Sequence, residues 1–231
     1  MTLTPISLSR RLASEGVGSL LLTATVVGSG IMAERLAGGN TAVALLANTG
    51  ATVAVLAALI ALLGPVSGAH FNPAVSFIQA LRGKLTWTDA SAYLMIQLLG
   101  CCAGVLLAHR MFEAPLWQAS THIRTGPAQW LAEAVATFGL LLVVLGHRRP
   151  EDAPWMVACW IGAAYWFTAS TSFANPAITV ARSLTNTFSG IRPIDVLAFI
   201  VAQLGGALAA WALARFMFPM TKLSPAVSSS R

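Results

Sequence analysis

The sequence predicts an all-α membrane protein: six membrane-spanning helices and two short re-entrant half-helices, arranged as an inverted repeat. Three observations carry this. Of 231 residues, 56 % are apolar and 10 % charged, with a mean hydropathy of +0.72. Soluble domains carry about 25 % charged residues, so lipid must be the solvent for most of this surface. Six stretches reach the ~20 apolar residues that a spanning helix needs, at 12–33, 41–63, 90–109, 128–147, 154–172 and 194–217. Finally, Asn-Pro-Ala occurs twice, from Asn72 and from Asn175, 103 positions apart (175 − 72). Each copy opens an apolar stretch too short to span, 73–82 and 176–187.

Taken in order, the first stretch follows Arg10 and Arg11. It is longer than the apolar core of a signal peptide, and no small-residue cleavage site leads into a soluble domain. Gly-Gly-Asn at 38–40 ends it, and Arg82, Gly83 and Lys84 close the first short stretch. The loop 110–127 separates two halves, and the polar run from His147 to Asp152 separates the fourth and fifth spans. The halves repeat. LASEGVGSLLL in span one matches LAEAVATFGLL in span four with a one-residue shift, aligning Glu15 with Glu133. AYLMIQLLGCCAG in span three matches AFIVAQLGGALAA in span six, aligning Gln97 with Gln203.

Three spans per half is an odd number, so the second half enters the membrane upside down. In inverted repeats of this kind the working site lies near the midplane, between the halves. The organisation expected is an N-terminal segment 1–11, a membrane domain 12–217 with repeats at about 12–109 and 128–217, and a polar, disordered tail 218–231. With both termini cytoplasmic, nine of the fourteen Arg and Lys residues fall on the inner side, as the positive-inside rule requires. The net charge of +6 comes from short clusters between apolar runs, which suits lipid headgroups and not nucleic acid.

Asn is a favoured helix N-cap, and Pro is favoured at the first helical position, where its missing N–H costs nothing. One copy would mean only a helix start. Two copies in symmetric positions place two half-helices with their N-termini meeting inside the membrane, where irregular backbone is tolerated only if buried or lining a water-filled cavity. Asn72, Pro73, Ala74, Asn175, Pro176 and Ala177 are therefore the expected pore midplane. Each helix start carries about +0.5 charge, a barrier to cations and a donor site for neutral hydroxylated solutes.

Glu15 and Glu133 lie within spans, where an ionisable group is a functional candidate by default. They either couple protons in a secondary transporter or accept N–H groups from the re-entrant loops. His70 either lines the inner half of the pore or donates to a loop carbonyl, and Gln97 and Gln203 tie spans three and six to the half-helices. Cys101, Cys102 and Cys159 all fall in apolar stretches, so no disulfide framework is expected. The remaining histidines lack metal-ligand spacing, and no nucleophilic triad or phosphate-binding loop occurs. Neither an enzyme, nor a cofactor, nor a metal site is expected.

The paired Asn-Pro-Ala, the Ser-Gly-Ala-His-Phe before the first copy and the symmetric Glu residues resemble the aquaporin, or major intrinsic protein, family over about 10–218. The resemblance implies a pore in each subunit, a homotetramer and an aquaporin-like right-handed bundle. In most members an Arg follows the second Asn-Pro-Ala; here Ile178 stands there. Family spacing then assigns the outer selectivity filter to Thr52, Ala163, Ser172 and Ile178, a small and weakly polar set. Arg182, four residues on, is expected at the outer mouth. There it either meets passing anions and hydroxyls or braces loop carbonyls. The stretch NPAITVARSLTNTF looks like aquaporins encoded beside arsenic-resistance genes in bacteria. That likeness implies a bacterial inner-membrane protein passing arsenite and methylated arsenicals; water, urea and glycerol-like polyols fit the small filter equally well by size.

Overall fold

The computed structural model describes residues 6–218, and most of these are helical. Eight α-helices follow one another: α1 (Leu8–Leu36), α2 (Thr41–Ser67), α3 (Pro73–Leu81), α4 (Trp87–Met111), α5 (Pro127–Gly146), α6 (Ala153–Phe167), α7 (Pro176–Ala181) and α8 (Val196–Met217). Single 3₁₀ turns precede α6 and α8 and follow α7. Helices α1, α2, α4 and α5, and the segment Pro193–Met217, are long and apolar enough to cross a bilayer. Helix α3, with 9 residues, and α7, with 6, rise only about 14 and 9 Å.

Three boundaries differ from the sequence reading. Helix α1 begins at Leu8, inside the expected N-terminal segment, where Arg11 pairs with Asp89 of α4 at 2.8 Å. The fifth span stops at Phe167, because Thr168 turns to extended backbone and Thr171 takes a positive φ of 60°. The second half-helix ends at Ala181, and the chain tightens into the Arg182–Leu184 turn. Residues 219–231 of the expected tail lie outside the described residues.

The order of elements repeats: α1–α4 correspond to α5–α8, with α3 and α7 as the matching half-helices. Helix α1 packs most extensively on α4, and α5 on α8. Small residues permit this closeness. A Cβ added to Gly104 would run into the Leu20 carbonyl, and one added to Gly206 into the Ala134 carbonyl. Without a hydrophobic drive between helices in lipid, such backbone approach is a main source of packing energy. At the adjacent Gly205 an added Cβ would meet nothing within 4 Å.

Gly206→Ala is accordingly expected to cost about 1–3 kcal/mol and to lower the melting temperature in detergent. Gly205→Ala is expected to leave it unchanged.

Candidate functional site

Helices α3 and α7 begin as Asn-Pro dictates. Asn72 Oδ1 accepts the Ala74 N–H at 2.9 Å; Asn175 Oδ1 accepts those of Ala177 and Ile178 at 3.0 and 3.3 Å. With Oδ1 committed to the cap, each amide NH₂ is free to reach across. Asn72 Nδ2 donates to the Ala174 carbonyl at 2.7 Å, and Asn175 Nδ2 donates to the Phe71 carbonyl at 2.8 Å. These reciprocal bonds dock the two helix starts tip to tip, and Pro73, Ala74, Pro176 and Ala177 are buried behind them.

The loops leading in are held in a backbone shape that costs energy. Ala69 and Phe71 in the first, and Ser172 and Ala174 in the second, have φ between 47° and 51°. Non-glycine residues there cost of order 1–3 kcal/mol each unless the surroundings over-determine them. The surroundings are the two fully buried carboxylates. Glu15 accepts the Ser67 hydroxyl (2.6 Å), the His70 and Phe71 N–H groups (2.9 and 2.7 Å) and Gln97 Nε2 (2.8 Å). Glu133 accepts the Ser170 hydroxyl (2.5 Å), the Phe173 and Ala174 N–H groups (2.8 and 2.9 Å) and Gln203 Nε2 (2.6 Å). Gln97 Nε2 also meets Ser76 Oγ of α3 at 3.0 Å, and Gln203 Nε2 meets Thr179 Oγ1 of α7 at 2.9 Å. Each carboxylate thus ties a span, a loop and a half-helix together.

A cavity of about 760 Å³ passes this junction. Gly64, His147 and Glu151 line one end of it, at the C-termini of α2 and α5. His70 lines the same half, with its Nδ1 3.0 Å from Ser76 Oγ and its ring edge-on to Tyr93. Asn72 and Asn175 line the middle, and Thr52, Tyr165, Ser172, Ile178 and Arg182 the other end. Glu15, Glu133, Gln97 and Gln203 do not face it.

One expected filter residue is misplaced. Ala163 is exposed on the outer side of α6, and Tyr165 faces the cavity instead, its hydroxyl 3.3 Å from Thr52 Oγ1. Two residues turn a helix by about 200°, so the count landed on the opposite face. Ile161, four residues before Tyr165, shares the inward face.

Arg182 is buried at the end of the cavity and braces a loop carbonyl, one of the two roles expected of it. Its Nε donates to the Ser189 carbonyl, and its guanidinium lies 3.3 Å over the Phe173 ring. The sequence reading also missed Arg124, in the connection between α4 and α5. Its Nε donates to the Gly190 carbonyl at 2.7 Å and its Nη1 to that of Ser170 at 3.2 Å, while its charge sits 5.1 Å from the Phe173 ring. Tyr165 carried a signal, a lone phenol in an apolar span; Arg124, in a loop without a motif, carried none.

Two half-helices docked at their starts, braced symmetrically and bordering a cavity that extends to both sides of their junction, define a membrane channel fold. Comparison with known proteins assigns the family: the Major intrinsic protein model matches residues 2–165, and the chain belongs to the major intrinsic protein family, whose members are channels and not enzymes. It is an integral membrane protein. Over 212 residues it is 56 % identical to the aquaglyceroporin AqpS of Rhizobium meliloti (strain 1021), covering 91 % of each chain. It is 32 % identical to aquaporin A of Dictyostelium discoideum over 196 residues, 78 % of this chain and 70 % of that one. Among solved structures, the aquaglyceroporin from Plasmodium falciparum superimposes with a TM-score of 0.65, covering 91 % of this chain and 95 % of that one. At 20 % identity that match speaks for the fold alone.

Proposed function

We propose that the protein is a passive channel for small uncharged solutes: water, glycerol-like polyols and arsenite, with methylated arsenicals at the upper end of size. The observation that carries this is the reciprocal Asn–carbonyl docking of α3 and α7 beside the cavity. Two helix starts, each worth about +0.5 charge, repel a cation from the place where the amides of Asn72 and Asn175 offer donors. A neutral polyol loses hydration there and regains hydrogen bonds. At the outer end, Thr52 and Tyr165 supply hydroxyls, Ile178 an apolar wall and Arg182 a fixed positive charge. Near neutral pH arsenite is As(OH)₃, uncharged and polyol-like, and its chemistry matches that lining. The relative from Rhizobium meliloti, named an aquaglyceroporin, supports the polyol part.

An ion-coupled transporter using Glu15 and Glu133 is the weaker alternative. Both carboxylates are 0 % exposed and each already accepts four hydrogen bonds, so neither has a route for protons from the cavity. The proposal extends to a homotetramer in a bacterial inner membrane, with both termini cytoplasmic and its outer faces against lipid or neighbouring subunits.

Stopped-flow swelling of proteoliposomes with water, glycerol, urea and arsenite side by side tests the solute range. Thr52→Trp fills the space beside Tyr165 and is expected to lower glycerol and arsenite flux about tenfold, the effect of some 1.4 kcal/mol of added barrier, with water reduced less. A rise in glycerol flux would remove Thr52 from the filter.

A further inference from the structure

A second cleft, of about 340 Å³, opens away from the pore where the C-terminal ends of α3, α5 and α8 meet. Its lining divides into two kinds of surface. Leu81, Leu145, Trp211, Ala214 and Phe218 form apolar walls, and Arg82 and Arg215 bring two guanidinium groups. Phe218 lies against Gly146, where an added Cβ would come within 2.7 Å of its ring. Arg215 rests 5.2 Å over the Trp211 ring, and Arg82 Nη1 donates to Gln79 Oε1 at 3.0 Å. Arg215 thus leans on an aromatic face and Arg82 on a neighbouring amide.

Among the described residues no carboxylate pairs with either of them. Among the described residues the two salt bridges are Arg11–Asp89 and Arg192–Asp195. Glu151 and Asp152, at the same end of the bundle, do not line the cleft. Residues 219–231, which follow Phe218, contain no Asp or Glu. Helix C-termini carry about −0.5 charge each, but that field fades within the last turn and leaves the guanidinium donors without a charged partner, Arg82 Nη1 meeting only the neutral Gln79 amide. A guanidinium binds a phosphate oxygen pair in the fork geometry of its donors.

We infer that this cleft is a binding site for one anionic phospholipid, its phosphodiester between Arg82 and Arg215 and its glycerol and upper acyl chain against Trp211, Leu145 and Phe218. The position fits. The cleft lies at the ends of membrane-crossing helices, the level of the headgroups, where basic pockets between helices take anionic lipid.

The test is native mass spectrometry of the purified full-length protein with phosphatidylglycerol and phosphatidylcholine in competition. Wild type is expected to retain phosphatidylglycerol preferentially, and Arg82→Gln/Arg215→Gln to lose about tenfold or more of that preference. Arg82→Lys/Arg215→Lys keeps the charge without the fork and is expected to retain part of it. Arg10→Gln/Arg148→Gln, on the same face but outside the cleft, is expected to retain all of it. An equal loss in the Arg10/Arg148 variant would reduce the effect to diffuse surface charge and overturn the site. So would an unchanged preference in Arg82→Gln/Arg215→Gln. Displacement of the lipid by millimolar inorganic phosphate would make this a site for free anions and overturn the lipid assignment.

Discussion

Glu133→Ala is expected to abolish solute flux and to lower stability by roughly 4 kcal/mol or more, taking about 1–3 kcal/mol for each buried donor left without an acceptor. The Ser170 hydroxyl, the Phe173 and Ala174 N–H groups and the Gln203 amide would all lose their partner. Worse, the positive φ values at Ser172 and Ala174 would no longer be over-determined, and the loop that presents Asn175 would relax. Glu15→Ala is expected to do the same to the loop presenting Asn72. Glu133→Gln separates bracing from proton chemistry. Its remaining carbonyl still serves two donors while its NH₂ faces the other two, so partial stability and partial flux are expected. Thermal melts in detergent, paired with glycerol uptake by proteoliposomes, check this. A Gln variant of full stability that had lost only proton coupling would favour the transporter.

Ile178→Arg has the second large effect. Ile178 borders the outer end of the cavity with Thr52, Tyr165 and Arg182. A guanidinium there occupies the lane and adds a like charge beside Arg182, so the aperture narrows and becomes more strongly hydrogen-bonding. Glycerol and arsenite flux are expected to fall at least about tenfold, a barrier increase of about 1.4 kcal/mol, and water flux by less. Solute-by-solute stopped-flow measurement on one preparation gives the ratio directly. Equal, unchanged rates for all three would place the constriction elsewhere in the pore.

How far the sequence alone leads follows from what kind of signal each part leaves. The half-helices were legible because Asn-Pro states where a helix starts, and two copies in stretches too short to span state that the starts lie within the membrane. The inverted repeat was legible because Glu15/Glu133 and Gln97/Gln203 are polar residues in apolar surroundings, and so can be aligned. Helix rotation was not legible. In lipid both the outward face and much of the inward face are apolar, and the periodicity that marks a buried stripe in water-soluble helices is lost. The placement of Ala163 therefore rested on counting back from Asn175, and a count along the chain does not say which face of α6 turns inward, where Tyr165 and Ile161 stand. The same blindness applies to Arg182. Its distance along the chain was readable, but the Ser189 carbonyl and the Phe173 ring that hold it come from the two loops on either side of α7. Loop contacts also explain Arg124, which binds two connections at once and belongs to no motif.

The central claim is that α3 and α7, locked start to start by Asn72 and Asn175, form a lane that neutral molecules cross down their own gradient. Glycerol entry into proteoliposomes under imposed proton gradients of either sign tests it most directly. The account predicts a rate proportional to the glycerol gradient, indifferent to the proton gradient, with the internal concentration levelling at the external one. Accumulation of glycerol above the external concentration, driven by protons, would contradict it.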